Sequence, residues 1–194
     1  MNQPVLTARL FFALPLPNDL QLMLAKHCQT LRVPHYRCIA ADNLHITVHF
    51  LGNVQQQAIP QLIATYQPVV DQISVFNLSF RELAFAGPPQ DPERMIWAVF
   101  DAHPTYKQLV TQTRHVLNQF LHEPHGTIAD AHQDIIPHVT LARRENGSRY
   151  QAPLPPLRQP TVQPITVTTV ELMQSQLAPG GSVYTTVHTF RLHP

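Results

Sequence analysis

Hydrophobic and polar positions alternate along much of this chain at strand spacing, and the stretches between them recur at helical spacing. Val5 to Leu14 (VLTARLFFAL) is rich in strand formers; Pro15 and Pro17 close it, and Asn18 and Asp19 cap a helix ending near Leu31. Leu44 to Leu51 (LHITVHFL) alternates as a second strand that stops at Gly52, and Gln55 to Val70 has helical spacing with Pro60 in its first turns. Strand character returns from Ile73 to Ala86 and from Arg94 to Asp101, and Gly87-Pro88-Pro89 between them predicts a hairpin. His103 to Leu121 sets Tyr106, Leu109, Val110, Val116, Leu117 and Phe120 on one helix face and has Pro104 at its opening. A polar loop leads to Ile136, and Pro137 to Arg144 is the next strand. A connector with Pro153, Pro155, Pro156, Pro160 and Pro164 reads as extended or loop-like, and Ile165 to Leu172 and Val183 to Leu192 close the chain as strands around Pro179-Gly180-Gly181. Strands outnumber helices and occur in both halves.

A chain of 194 residues fits one domain, or two small lobes sharing a core, and 44% hydrophobic residues suffice to fold it. The formal charge of +1 rules out a sequence-wide field that would attract nucleic acid or membrane, so any anion site must be local. Cys28 and Cys38 match no metal or redox spacing, so no disulfide framework is expected and a reducing cytoplasm is the simplest location. Leu10 to Leu16 is apolar, but Arg9, Pro15 and Pro17 make it a core strand rather than a signal segment. No other apolar run approaches the roughly 20 residues of a membrane helix. The reading is of a soluble protein with no membrane partner and no obligate protein partner.

Chemistry enters with the histidines. From 12 His and 16 Thr in 194 residues about one His-x-Thr pair arises by chance; four occur. His103-Pro104-Thr105 and His125-Gly126-Thr127 have a helix opener or a turn residue at their centre, which explains them locally. His45-Ile46-Thr47-Val48 and His138-Val139-Thr140-Leu141 instead lie inside predicted strands. Residues i and i+2 share a strand face, so each presents an imidazole beside a hydroxyl while Ile46, Val48, Val139 and Leu141 anchor the opposite face. One such motif alone reads as a strand histidine satisfied by backbone groups; two matched motifs, one in each half, point to lobes facing each other across a cleft.

Two imidazoles with ordinary pKa near 6.5 can hold opposite protonation states at neutral pH, one taking a proton from water and the other giving one to a leaving oxygen. Threonine hydroxyls can hold the equatorial oxygens of a phosphoryl group. The set suits metal-independent cleavage of a phosphoester, above all a strained cyclic phosphate.

With these residues in view, the sequence resembles the two-histidine phosphoesterases, specifically the bacterial and archaeal RNA 2',3'-cyclic phosphodiesterases also called 2'-5' RNA ligase-like proteins. The resemblance rests on Arg9-Leu10-Phe11-Phe12-Ala13-Leu14, Asn43-Leu44-His45-Ile46-Thr47-Val48 with Phe50-Leu51-Gly52, and Pro137-His138-Val139-Thr140-Leu141-Ala142-Arg143. Leu172, Ser175, Leu177, Gly181 and Tyr184 match the spacing of the family's last hairpin. It implies an α+β fold spanning residues 1–194 as one domain: two pseudo-symmetric lobes of antiparallel β-sheet with flanking helices around a central active-site groove, each lobe carrying one His-x-Thr motif. It implies that His45 protonates the departing 3' oxygen and His138 activates water, leaving a 2'-phosphate, with Thr47 and Thr140 beside them; the residues alone do not say which histidine does which. Arg143 falls where the family places a phosphate-contacting arginine, and Tyr184 joins it as a substrate contact.

His49 is expected on the face of His45 and Thr47, lining the cleft as a substrate contact or satisfied at the sheet edge. Asp42 is the one nearby carboxylate and no third imidazole has ligand spacing, so neither metal nor other cofactor is expected. Trp97 and Phe12 are assigned to the core and Phe50 to base stacking. The expected partner is RNA with a 2',3'-cyclic phosphate end or a small cyclic-phosphate nucleotide. A local cluster of Arg143, Arg144 and Arg149 fits a small end group better than a duplex. Two alternatives stay open: the same chemistry reversed into 2'-5' end joining, and a non-catalytic RNA or nucleotide binder. ATP-dependent ligation is disfavoured, because Lys26 and Lys107, the only lysines, open no lysine-x-aspartate-glycine motif.

Overall fold

The computed structural model describes residues 6–121, 135–145, 147, 148, 155–179 and 181–194. Val5, His125-Gly126-Thr127, most of the polar loop before Ile136, Arg149, Pro153 and Gly180 lie outside the described residues. In chain order the elements are β1 (Thr7–Pro15), α1 (Asn18–Leu31), β2 (Tyr36–Cys38), β3 (His45–Gln55), α2 (Ile59–Val70), β4 (Phe76–Leu78), β5 (Phe80–Ala86), β6 (Met95–Phe100), α3 (Pro104–Leu121), β7 (His138–Arg144), β8 (Ile165–Val167), β9 (Thr169–Ala178) and β10 (Gly181–Arg191). Short 3-10 turns at Ala41–Asn43 and Gln56–Ala58 flank β3. The fold is α+β, and every pairing among the named strands is antiparallel.

An open eight-stranded sheet runs β10-β9-β1-β3-β7-β6-β5, with β2 pairing along the end of β7; β4 and β8 form a separate two-stranded sheet. The two strands that carry the His-x-Thr motifs, β3 and β7, are therefore neighbours at the sheet's centre, joined through the single register pair Ile46↔Val139.

Alternation along β1 gives the sheet two unlike faces. Leu10, Phe12 and Leu14 are buried on the helical side, where Phe12 stacks on Tyr66 of α2 at 3.9 Å between ring centroids. Tyr66 in turn hydrogen-bonds the buried Thr113 hydroxyl of α3 at 2.8 Å. Phe11 is equally buried but points the other way, against His45 and Tyr184. One apolar core holds the sheet and all three helices together on one side, leaving the other face available for chemistry.

Several sequence expectations change. Gly52 does not stop β3; at φ +74° it continues the strand through an irregularity in which Leu51 has no partner on β1. Ile73 to Ala86 is not one strand but β4 and β5, which break at Ser79 and pair with different sheets; Ile165 to Leu172 divides likewise between β8 and β9. β2 was not anticipated. It follows a tight connection in which Arg32, capping α1, and His35 both take left-handed conformations.

That connection also overturns the cysteine reading. It folds β2 back beside α1, brings the Cα atoms of Cys28 and Cys38 to 6.2 Å, and the two form a disulfide. The pair withdraws the cysteine-based argument for a reducing compartment. Closing so short a loop contributes on the order of 2–3 kcal/mol by restricting the unfolded chain. Dithiothreitol is expected to lower the melting temperature by roughly 5–10 °C in a thermal melt, and an unshifted melt would contradict a stabilising role. Among the described residues, no helix is long and apolar enough to cross a membrane.

Candidate active site

On the sheet face away from the helices, Ile39, Asn43, His45, Thr47, Phe50, His138, Thr140, Arg143 and Tyr184 line one small cleft of about 50 Å³. The structure thus brings together seven of the eight residues expected from the sequence.

Matched bulges decide which residues these are. On β3, Phe12 of β1 pairs with His49 and Ala13 with Thr47, so Val48 is an extra residue without a partner on β1. On β7, Ile96 of β6 pairs with Ala142 and Trp97 with Thr140, so Leu141 is the extra residue. Each bulge resets the alternation, and the next residue to join the His-x-Thr face is three positions beyond the threonine. That residue is Phe50 in one strand and Arg143 in the other. The same bulge corrects the expectation for His49, which lies in register with Phe12 on the helical face and is not among the cleft residues.

The histidines are held alike. His45 donates from Nδ1 to the Asn43 carbonyl at 2.8 Å, and His138 donates from Nδ1 to the Ile136 carbonyl at 3.0 Å, each partner two residues upstream. Tying up Nδ1 leaves Nε2 of each ring as the nitrogen that exchanges protons. Nε2 of His45 lies 3.1 Å from the Thr47 hydroxyl. Thr47 is fixed in turn from α3, where the buried Tyr106 hydroxyl donates to the Thr47 carbonyl at 3.0 Å.

Aromatic rings set the tilt of both imidazoles. Phe11 lies 4.9 Å from His45 and Tyr184 meets it edge-on at 5.3 Å. Trp97 stacks on His138 at 3.7 Å with 18° between the planes. Trp97 is therefore not the core residue expected: Thr140 is its register partner, so it shares the cleft face. Phe12 is in the core as expected, and Phe50, 62% exposed, forms the rim.

Burial is the main influence on the imidazoles and disfavours their charged forms. It lowers His45 to about 4, with the Arg143 guanidinium and His138 adding to the shift and the Asn43 hydrogen bond opposing it. His138 is lowered by burial and then by Arg143, against the Ile136 hydrogen bond. Both shifts favour the neutral form of the two rings. Two Nε2 atoms, two hydroxyls and one guanidinium around a space of this size match the needs of a phosphoryl group changing partners. Among the described residues no three His, Cys, Asp or Glu side chains converge to hold a metal ion.

Sequence reasoning missed the roles of Trp97, Asn43 and Ile136. The carbonyls two residues before each histidine were legible as a shared offset, whereas the Trp97 contact depends on a cross-strand register that no local pattern reveals.

The sequence model of the 2'-5' RNA ligase superfamily matches residues 20–178. An RNA 2',3'-cyclic phosphodiesterase of Thermus thermophilus is 28% identical over 189 residues, covering 95% of this chain and 90% of the relative. One of the same name from Methanothermobacter thermautotrophicus is 24% identical over 191 residues, 95% of this chain and 98% of its own. The crystal structure of TT0787 from Thermus thermophilus superposes with a TM-score of 0.77 at 26% identity, over 95% of this chain and 97% of that one.

Proposed function

This chain belongs to the 2'-5' RNA ligase superfamily, and from that premise we propose that it hydrolyses 2',3'-cyclic phosphate ends of RNA to 2'-phosphates by general acid and base catalysis. The observation that carries the reading is the pair of imidazoles that present Nε2 to one cleft while their Nδ1 hydrogens are bound to backbone carbonyls. His138 takes a proton from water as its oxygen attacks phosphorus. The bond from phosphorus to the 3' oxygen breaks, and protonated His45 gives its Nε2 proton to that oxygen, so one water is consumed and a 2'-phosphate with a free 3' hydroxyl results. Thr47, Thr140 and Arg143 hold the non-bridging oxygens, where negative charge grows. Phe50 and Tyr184 flank the base or ribose.

The experiment is hydrolysis of a short RNA ending in 2',3'-cyclic phosphate with EDTA present, followed by identification of the product isomer. A 2'-phosphate is expected, and a 3'-phosphate would show that the bond to the 2' oxygen breaks instead. Binding without turnover would favour the non-catalytic reading, and formation of a 2'-5' linkage from concentrated ends would show the reverse reaction on the same groups.

The pH dependence has a definite sign. The general acid must be protonated, and its free-state pKa is depressed from 6.5 to about 4. The optimum of kcat/KM, which reports the free protein, is therefore expected on the acid side of pH 6.5. Bound phosphate draws the proton back, so the optimum of kcat should lie at higher pH. Rate profiles at limiting and saturating substrate check this, and coincident optima would contradict it.

A further inference from the structure

The cleft between the histidines is too small for a nucleotide: about 50 Å³, against the roughly 300–1,000 Å³ typical of small-molecule sites. The remainder of any substrate must therefore lie outside it. Arg143 forms part of the wall of the cleft and also of an adjoining cavity of about 430 Å³, lined by Arg37, Arg94, Arg143, Arg144 and Glu145.

The charges in that cavity are arranged at a cost. Arg37 of β2 is the direct register partner of Arg143 of β7, and like charges opposite each other across a strand pair destabilise a sheet. Arg144 is committed to Asp91, with Nη2 to Oδ1 at 2.5 Å and both side chains largely buried. Among the described residues, Arg37, Arg94 and Arg143 have no ion pair and Glu145 is the only carboxylate on the lining. Four guanidinium groups against Glu145 and the Asp91 bound to Arg144 leave a net +2, in a chain whose whole formal charge is +1. Among the described residues, Asp91 neutralises Arg144 alone, and Arg143 meets only the Met95 sulfur, an uncharged partner, at 3.2 Å. A polyanion would neutralise the rest.

We propose that this cavity is a second anion site, holding a phosphate of the same substrate molecule on the 5' side of the reacting cyclic phosphate. The proposal rests on the reading that the histidine cleft takes the cyclic phosphate, and makes the substrate class one with at least two phosphates. Arg37 and Arg94 are its determinants, because Arg143 serves both spaces and Arg144 is held by Asp91. The second phosphate has two possible sources, the phosphate on the terminal nucleotide's own 5' oxygen or a phosphodiester further along an RNA chain.

Three substrates separate them: a nucleoside 2',3'-cyclic phosphate, the same with a 5'-phosphate, and a five-nucleotide RNA with a cyclic phosphate end. Wild type should act on at least one two-phosphate substrate with a clearly higher kcat/KM than on the first. In the double variant Arg37→Gln, Arg94→Gln that advantage should shrink about tenfold or more, chiefly through KM. For RNA, the salt dependence should become shallower by roughly 0.7 of a log–log unit, as one lost phosphate neutralisation implies for a single strand. An advantage already complete with the 5'-phosphate places the phosphate on the terminal nucleotide's own 5' oxygen in the site, and one that appears only with RNA places a phosphodiester further along the chain there. The proposal is overturned if wild type gains nothing from a second phosphate, if the double variant loses equally on all three substrates, or if Arg191→Gln, on the edge strand β10, has the same effect. Should wild type hydrolyse none of them, the phosphodiesterase reading fails by itself. Anisotropy of a labelled RNA ending in 2'-phosphate then decides the anion site: binding weakened about tenfold in the double variant supports it, and equal binding overturns it.

Discussion

His45→Ala and His138→Ala are each expected to slow hydrolysis of a cyclic phosphate by about 10²–10⁴-fold, the range for loss of a positioned general acid or base. The double variant should fall little further than the slower single one, because a proton donor is of little use to a reaction whose nucleophile is no longer activated. Both rings lie on the cleft face, outside the apolar cluster that holds the sheet to the helices, so the variants should fold. Thermal melts provide the control. A leaving group that needs no protonation separates the two roles: with a p-nitrophenyl phosphodiester, His45→Ala should recover most of its rate and His138→Ala should not. Recovery by His138→Ala would exchange their assignments, and a variant within threefold of wild type on both substrates would remove that imidazole from the chemistry.

Arg143→Ala should cost about 10²–10³-fold, as for the loss of one preorganised donor to a developing oxyanion. Arg143→Lys should restore only part, since an ammonium lacks the planar fork that meets two phosphoryl oxygens together. The substitution to Ala carries a second signature. The Arg143 charge depresses both His45 and His138. Removing it lets both rings hold protons to higher pH, so the alkaline limb of kcat/KM should move upward and the acid limb with it. Rate profiles of the two proteins give the shift, and a large rate loss with an unmoved profile would place Arg143 away from the imidazoles.

Much of this site was legible in the sequence because its central pieces are local. His45 with Thr47 and His138 with Thr140 need only the two-residue period of a strand, and the proline and glycine punctuation outlined most elements. The cleft's other members depend on events that period does not encode. Extra residues at Val48 and Leu141 shift the alternation, so strict counting puts His49 in the cleft and leaves Arg143 on the wrong face; the structure does the reverse for both. Bulges are set by the partner strand, and β1 and β6 are distant in sequence from β3 and β7 respectively. β2 was missed for a related reason: three residues are too few to show a pattern, and its place is fixed by the left-handed turns at Arg32 and His35 and by pairing with β7. The Cys28–Cys38 pair depends on the same turn. The arginine-lined cavity depends on it as well, since Arg37 reaches Arg143 only through β2.

Trp97 is the only tryptophan in the chain, and its indole lies flat against His138. A protonated imidazole in such contact accepts electron density from excited indole and quenches its emission, whereas a neutral ring does so much less. The tryptophan emission of this protein is therefore expected to report the proton on His138. It is available without a label and on the timescale of a stopped-flow mixing experiment.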